Sequence, residues 1–114
     1  MIKYMKASSL FSKVVEFEWD DGNLEHIRKH RFNYKECEQV FYNKPILVSQ
    51  DKKHSQVEPR FRVLGKTKQE RLTILVFTTR WGKVRIISTR DQSKKERSIY
   101  QKMGVNKDGS KQKI

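Results

Sequence analysis

The chain has 114 residues, enough to enclose one hydrophobic core but too few for two separate domains. Its single cysteine excludes an intramolecular disulfide and a cysteine-built zinc site, and its apolar runs fall short of the roughly 20 residues that a membrane span needs. The formal charge of +13, from 26 basic and 13 acidic residues, exceeds what solubility requires and indicates a polyanionic partner such as nucleic acid.

The first predicted elements are a strand and a short helix. Residues 14–19, VVEFEW, alternate apolar and polar side chains with a period of two, which is typical of a strand with one covered face. The following DDGN breaks this pattern and offers helix caps at Asp20, Asp21 or Asn23. A short helix is therefore predicted to run toward the sequence RKH.

A second helix is indicated by Tyr34, Cys37, Val40 and Phe41, which recur at helical spacing. Asn33 can cap its start, and the sequence NKP predicts its end. Because Cys37 lies on the apolar stripe, we expect it to be buried and structural rather than reactive.

The second half of the chain predicts an antiparallel meander followed by a helix. Residues 46–49 (ILVS) resemble a strand, residues 60–65 (RFRVLG) and 83–89 (KVRIIST) alternate, and residues 71–79 (RLTILVFTT) form the apolar run of a central strand. Residues 93–102 predict a helix that Ser93 caps, with Glu96 in the capping-box position.

Together these elements predict an α+β fold, with an antiparallel sheet, two N-terminal helices and one C-terminal helix. We expect the domain over residues 14–101, an N-terminal extension over residues 1–13 and a basic, disordered tail over residues 102–114. Residues 94–114 hold seven basic and two acidic residues, so the remaining chain keeps an excess of eight positive charges. With no secretion leader recognisable, we expect a cytoplasmic protein with no membrane association.

His26 and His30 stand four residues apart on one predicted helix face, which is the spacing of a zinc half-site. A catalytic zinc needs a third protein ligand, and the remaining candidates are His54, the carboxylates and Cys37 on its buried stripe. We therefore expect no metal site and interpret the pair as solvated or hydrogen-bonded.

Arginines on the predicted strands are the more informative signal. Arg60 and Arg62 alternate with Phe61 and Val63, so both arginines are predicted on the same face. In VRIISTR, which ends at Arg90, strict alternation predicts two sets of residues on opposite faces of the sheet. One set is Val84, Ile86 and Ser88, and the other is Arg85, Ile87 and Thr89. Guanidinium groups on a rigid sheet suit the stabilisation of phosphate charge, but they also keep an open sheet face soluble, and spacing leaves both interpretations open.

Metal-free cleavage of RNA needs a group that accepts the 2′-hydroxyl proton, a group that protonates the leaving oxygen and cations that hold the phosphoryl charge. The candidates for these parts are Glu58, Lys29, His30, Arg60, Arg85 and Arg90. We expect Lys29 and His30 to face the arginine-bearing sheet and no cofactor to be needed. Trp81 and Tyr100 have the ring chemistry to stack bases, while turn and core packing are the competing interpretations.

The order of these motifs resembles the BrnT family of type II toxins. The matching motifs are FEWD, Asn23, the KH of Lys29 and His30, RF with LG within residues 60–65, RIIS followed by Arg90, and ERSIY. The resemblance covers residues 16–101. It implies a RelE-like fold in which one face of an antiparallel sheet carries helices and the other cleaves RNA without metal.

The resemblance also implies a function and a partner. The protein is expected to be a ribonuclease toxin that cleaves RNA and thereby inhibits translation and growth. Its expected partner is a BrnA-like antitoxin, a dimeric ribbon-helix-helix protein. That antitoxin is expected to neutralise the toxin and to form with it a hetero-oligomer on the operator DNA of their shared operon.

Position by position, the resemblance assigns the site residues. The family's KH motif corresponds to Lys29 and His30, and its sheet arginine corresponds to Arg60. The arginine that closes the family's IS-x-R stretch corresponds to Arg90, and its helical ER motif corresponds to Glu96 and Arg97. Lys29 or His30 is expected to carry protons, and Arg60 and Arg90 to clamp phosphate. Glu96 and Arg97, together with Arg85 from the strand pattern, make up the expected RNA-binding set.

Departures from the family pattern occur at three places. Arg31 stands where the family usually has glycine, so the chain must leave the helix without the residue best suited to a left-handed conformation. Pro59 directly precedes Arg60 and stiffens the entry to that strand. The basic segment after residue 101 matches none of the family's motifs.

Two other functions remain open from the sequence. One is a non-catalytic nucleic-acid-binding module, for which the charge and aromatic residues suffice. The other is a module whose positive surface only docks an acidic protein. Cleavage of RNA in the presence of EDTA, lost on replacing Arg60 or Arg90, separates the enzyme from both.

Overall fold

The computed structural model describes residues 3–7, 16–54 and 57–104. Within these ranges the chain forms five strands, three α-helices and a short 3-10 turn at Lys52–His54. In chain order the strands and α-helices are β1 (Met5–Lys6), α1 (Asp21–Lys29), α2 (Tyr34–Val40), β2 (Leu47–Gln50), β3 (Arg60–Lys66), β4 (Leu72–Arg80), β5 (Lys83–Asp91) and α3 (Lys94–Gly104). The predicted α+β fold is confirmed.

All three helices begin at capping residues that the sequence indicates. Each cap side chain accepts a hydrogen bond from the backbone N–H three residues on: Asp20 from Asn23 at 3.3 Å, Asn33 from Glu36 at 2.9 Å and Ser93 from Glu96 at 3.2 Å. In each case the third residue bonds back to the cap's N–H and completes a capping box. These short polar signals therefore define where the helices start.

The sheet is antiparallel in the order β1-β2-β3-β4-β5. Strands β2 to β5 form the predicted meander. The two residues of β1 pair with Val48 and Leu47 at the edge of β2, although no strand is predicted in the N-terminal extension. Among the described residues, no helix is long and apolar enough to cross a membrane.

Of the strand predicted over residues 14–19, the described residues 16–19 form an isolated bridge rather than a ladder. Residues 14 and 15 lie outside the described residues, and Phe17 makes an isolated parallel bridge to Val84. The chain then turns into α1 at Asp20. Of the predicted tail, residues 102–104 complete α3, and residues 105–114 lie outside the described residues.

The helices pack on both faces of the sheet rather than on one. Helices α1 and α2 cover a core that includes Ile27, Phe41, Val63, Leu75 and Ile86. Helix α3 covers a second cluster on the opposite face, consisting of Tyr4, Leu47, Leu64, Ile74 and Tyr100 with partly buried Leu72 and Ile99. The central strands carry apolar residues on both faces, so both faces need to be covered by helices. A sheet covered on a single side would leave one set of apolar residues in water.

Cys37 and Tyr100 are both core residues. Cys37 is fully buried beside Thr89, and burial raises the pKa of its thiol to about 11, so it is protonated and unreactive near neutral pH, as predicted. The Tyr100 hydroxyl donates to the carbonyl of Pro45 at 2.7 Å, and its ring is buried. Tyr100 therefore packs α3 onto the sheet and presents no ring face for a base.

Candidate functional site

The sheet face opposite α1 and α2 carries a set of arginines that α3 leaves uncovered. Within residues 57–104 these are Arg60 and Arg62 from β3, Arg80 from β4, and Arg85 and Arg90 from β5; we call this set the arginine face. Arg60 and Arg85 lie in one row across the sheet, because both pair with Thr78 of β4. With two strand spacings between them, their Cα atoms are about 10 Å apart.

A β-bulge in β5 brings Arg90 onto this face. Phe77 pairs with Ile86, but the preceding residue Val76 pairs with Ser88, so Ile87 is an extra residue. From that point the alternation of β5 is inverted, and such bulges commonly re-aim side chains. The face assignment that strict alternation predicts for Ser88 and Thr89 is therefore wrong.

The inversion has two consequences for the residues after the bulge. Thr89 turns into the core, where its hydroxyl lies 3.5 Å from the sulfur of Cys37. Arg90 turns to the opposite face, in register with Ile74 of the cluster beneath α3. Without the extra residue, Arg90 would point toward α1 and α2.

Carboxylates orient four of these arginines. The pairs, with their shortest N–O distances, are Arg62–Asp51 at 3.2 Å, Arg80–Glu58 at 3.2 Å, Arg85–Asp20 at 2.9 Å and Arg90–Glu96 at 2.9 Å. Guanidinium–carboxylate pairs with two bonds have a defined geometry, and both Arg85–Asp20 and Arg90–Glu96 are of this kind. The arginine face is thus a set of positioned cations rather than of freely moving ones.

Arg90 is the most exposed of the four, with 48% of its side chain accessible. Its partner Glu96 also accepts from the N–H of Ser93 and so joins β5 to the start of α3. Burial by itself would raise the pKa of Glu96, but the hydrogen bonds from Arg90 and Ser93 outweigh it and lower the pKa. Glu96 is therefore ionised at neutral pH and holds Arg90 toward solvent.

At the other end of the face, Glu58 and Arg60 are close in the chain, and Glu58 binds Arg80 with two hydrogen bonds. Arg85 is only 16% exposed, because Asp20 and Glu18 at the start of α1 occupy its guanidinium. The structure thus brings Glu58, Arg60 and Arg85 to one end of the face. Arg90 lies four residues further along the sheet, in the row of Leu64, which corresponds to about 13 Å.

Lys29 and His30 lie on the side of the sheet that α1 and α2 cover and not on the arginine face. The carbonyls of His30 and Arg31 accept hydrogen bonds from Arg71 at 3.2 Å and 2.9 Å. Arg71 also binds Asp91 at 2.7 Å and lies over the ring of Phe32. Because Asp91 directly follows Arg90 in β5, the side chains of these two residues lie on opposite faces of the sheet.

The remaining predicted residues have structural partners. Arg97 donates to the carbonyl of Gln92 at 3.0 Å, and the rings of His26 and His30 lie 5.8 Å apart on α1. In residues 3–7, 16–54 and 57–104, no group of three or more histidine, cysteine, aspartate and glutamate side chains is arranged to hold a metal ion.

The prediction from the sequence missed Arg80 and the pair of Arg71 with Asp91. Arg80 is two residues from Thr78 in the same strand, and residues two apart in a strand lie on the same face. The sequence could therefore have placed Arg80 on the arginine face. No comparable signal exists for Arg71 and Asp91, because their joint role depends on where α1 ends in space.

One comparison with known proteins identifies the family. Residues 19–96 match the family described as the ribonuclease toxin, BrnT, of type II toxin-antitoxin system. The matched segment begins at Trp19, just before α1, and ends at Glu96 in α3, so it includes all five arginines of the arginine face. No curated protein sequence matches the chain at a significant level. The match spans more than half of the chain, and the protein therefore belongs to the BrnT family of ribonuclease toxins of type II toxin–antitoxin systems.

Proposed function

We propose that this toxin cleaves RNA without a metal ion and that the arginine face binds the phosphodiester backbone. The observation that carries the proposal is the convergence of five strand-borne arginines on one sheet face, four of them held by carboxylates. Cations that are oriented before the substrate arrives stabilise developing phosphoryl charge without reorganisation, and this electrostatic contribution is commonly the largest in such reactions.

The reaction is assigned to the end of the face that holds Glu58 and Arg60. Glu58 accepts the proton of the 2′-hydroxyl, and the 2′ oxygen attacks phosphorus to form a 2′,3′-cyclic phosphate. The bond from phosphorus to the 5′ oxygen breaks, and that oxygen takes up a proton from solvent water. Arg60 stabilises the charge on the phosphoryl oxygens, assisted by Arg80. Arg90 is about 13 Å away along the strands, so it clamps a neighbouring phosphate rather than the reacting one.

Lys29 and His30 carry a proton in this step only if the RNA passes around the edge of β5. This end of α1 lies on the face that α1 and α2 cover, where Arg71 binds the carbonyls of His30 and Arg31. Replacing each with alanine separates two roles. Loss of turnover with unchanged RNA affinity would assign a proton-transfer role, whereas weaker binding with unchanged turnover would assign a phosphate contact on that side.

The central experiment measures RNA cleavage by the purified protein in excess EDTA. Arg60→Ala is expected to lower the cleavage rate by about a hundredfold or more, as for removal of a single oxyanion-stabilising donor. Arg90→Ala is expected to raise KM more than it lowers kcat. The matched control is Arg28→Ala, which removes the same charge from α1, where 70% of the side chain is exposed and the ion pair to Glu25 is long at 3.9 Å.

The outcomes are distinct once circular dichroism shows that each variant is folded. Wild-type cleavage that stops in EDTA contradicts metal independence. Cleavage that falls equally in Arg60→Ala and Arg28→Ala reflects net charge and contradicts a site on the arginine face. Binding of RNA without any cleavage would support the non-catalytic module instead.

Membership of a type II toxin family implies an antitoxin partner. The proposal includes the identity of this partner and the effect of the toxin on growth. The partner is a BrnA-like ribbon-helix-helix protein that neutralises the toxin and binds operator DNA together with it. Cleavage takes place in the cytoplasm and inhibits translation and growth. Growth arrest on induction, lost in Arg60→Ala and reversed by expression of the adjacent antitoxin gene, is the expected result.

A further inference from the structure

Trp81 occupies the tip of the β4–β5 hairpin and is 91% exposed to solvent. No hydrogen bond, ion pair or ring contact involves its side chain in the part of the chain that the structure describes. Large aromatic side chains usually remove most of their surface from water on folding. Core packing, one of the two structural interpretations of this residue, is therefore excluded.

The turn itself also gives no reason for a tryptophan. Trp81 and Gly82 have φ angles of 53° and 76°, so both central residues of this two-residue turn adopt the left-handed conformation. Asparagine and glycine favour this geometry, whereas a bulky side chain at positive φ is strained. A ring that is neither buried nor suited to its turn indicates a contact outside the protein.

The surroundings of Trp81 indicate the charge of that contact. Arg80 and Lys83 pair directly across the hairpin and flank the turn. Thr78, three residues before Trp81, lies in the row that joins Arg60 to Arg85, so the Cα atom of Trp81 is about 10 Å beyond that row. The hairpin tip therefore lies just beyond the row of Arg60 and Arg85, and it combines two flanking cations with an exposed aromatic side chain.

We infer that Trp81 stacks on a nucleobase of single-stranded RNA whose backbone lies along the arginine face. Cations that track the backbone combined with an aromatic platform are the recurring features of single-strand binding, and stacking is tolerant of sequence because every base has a π face. In a duplex the base faces are already stacked, so the contact selects unpaired RNA. Trp81 lies outside the reacting residues and acts as a binding subsite; this inference rests on the proposed function.

The experiment uses the full chain and a 2′-O-methyl RNA oligomer of about 12 nucleotides, within the range of known single-strand site sizes. Blocking the 2′-hydroxyl prevents the proposed cleavage, so wild-type protein can be titrated at equilibrium. The readouts are oligomer affinity by fluorescence anisotropy and quenching of intrinsic tryptophan fluorescence. Trp19, whose indole donates to Glu38 at 2.8 Å, remains as an internal reference.

Three substitutions distinguish stacking from a structural role. Trp81→Asn suits the left-handed turn but cannot stack, and it is expected to weaken binding about fivefold to a hundredfold while leaving thermal stability equal or higher. Trp81→Ala is expected to weaken binding similarly. Trp81→Phe retains a ring and is expected to stay within about threefold of wild type, while the quenching on binding is lost. On cleavable RNA, Trp81→Asn should raise KM and leave kcat unchanged.

Each result bears on a different claim. Wild-type protein that fails to bind the oligomer contradicts RNA binding by the arginine face, and the inference falls with it. Wild-type binding that is equally tight in Trp81→Asn overturns the stacking inference and leaves the proposed function intact. Unchanged RNA affinity combined with weaker antitoxin binding would show that the hairpin tip contacts protein, which also overturns it.

Discussion

Arg31 ends α1 in the left-handed conformation, with φ of 63°. Around it the chain forms the usual helix-ending pair of bonds, from the N–H of Phe32 to the carbonyl of Ile27 at 3.1 Å and from the N–H of Arg31 to that of Arg28 at 2.9 Å. Glycine is common at this position because any Cβ is strained there. Arg71, which donates to the Arg31 carbonyl, helps to impose the conformation from outside the helix.

Replacing Arg31 with glycine is therefore expected to stabilise the protein. The gain in free energy of unfolding should be about 1 kcal/mol, because relief of the left-handed strain exceeds the extra entropy of glycine in the unfolded chain. Urea denaturation followed by circular dichroism measures the change. Arg31→Ala is the control, since it removes the same charge and side chain but keeps Cβ; an equal gain in both variants would assign the effect to charge.

Asn23 shows how a buried polar residue positions the site from a distance. Its amide donates to the carbonyls of Glu18 and Ile86 at 3.0 Å each, while its oxygen accepts from the N–H of Asp20. These bonds fasten the start of α1 to β5, and they place Asp20 where it binds Arg85. One side chain thus links a helix start, an edge strand and the arginine face.

At the scale of elements, the sequence predicts much of the fold because most elements carry local signals. The alternation in β3, the apolar run of β4 and the capping residues Asp20, Asn33 and Ser93 all depend on side chains a few residues apart. The two residues of β1 have no such signal, since they are held by backbone pairing to β2. Pairing of that kind depends on the partner strand and not on a pattern in the segment itself.

The candidate site is less predictable for the same reason. The shared face of Arg60 and Arg62 follows from local alternation and is confirmed by their pairing with Thr78 and Val76. The position of Arg90 requires the bulge at Ile87, which VRIIST does not reveal, because the two registers with β4 differ only in tertiary packing. Lys29 and His30 are separated from the arginines by the path of α1, which no spacing encodes.

Strand β3 and helix α2 approach each other closely at Gly65. A Cβ atom built on Gly65 would lie 2.6 Å from the Cγ1 atom of Val40, which is fully buried. The close approach lets α2 lie flat on the sheet. Gly65 is thus required for packing between two elements rather than for an unusual backbone conformation.

Gly65→Ala is expected to lower the free energy of unfolding by about 1–3 kcal/mol, the usual cost of overpacking a core. Val40→Ala should also be destabilising, because it leaves a cavity. In the double variant the added methyl group fills the space that Val40 vacates, so its cost should be well below the sum of the two. Chemical denaturation of all four proteins in a double-mutant cycle measures this coupling, and additive effects would contradict the contact.

At the scale of the whole molecule, five arginines are collected on one face of the sheet. The chain carries a formal charge of +13, and five of its arginines share one face. Their mutual repulsion is offset in the free protein by Asp51, Glu58, Asp20 and Glu96. A polyanion that binds this face can supply further negative charge, so RNA affinity should fall steeply as salt concentration rises.

The same dependence on a few carboxylates predicts that the protein is sensitive to acid. Hydrogen bonds from arginines lower the pKa of Asp20, beside Arg85, and of Asp91, beside Arg71, below their ordinary value of 3.8. The pKa of Glu96 is likewise lowered from 4.5, since its bonds from Arg90 and Ser93 outweigh the effect of burial. A carboxylate with a lowered pKa in the folded state stabilises that state above its unfolded pKa, and this stabilisation is lost as pH falls through the folded value.

Stability should therefore change little from about pH 7 to about pH 5 as far as these groups are concerned, and fall below about pH 4.5 as they take up protons. Protonation of Asp20 and Glu96 leaves Arg85 and Arg90 without these counter-charges, so added salt should restore part of the loss by screening the repulsion between the cations. Urea midpoints measured across this pH range at low and high salt give the answer. Asp91→Asn, which removes one of the titrating partners, should be less stable at neutral pH and should show a smaller further loss in acid. A stability that is constant down to about pH 3 at low salt would mean that these ion pairs contribute nothing to the stability of the fold.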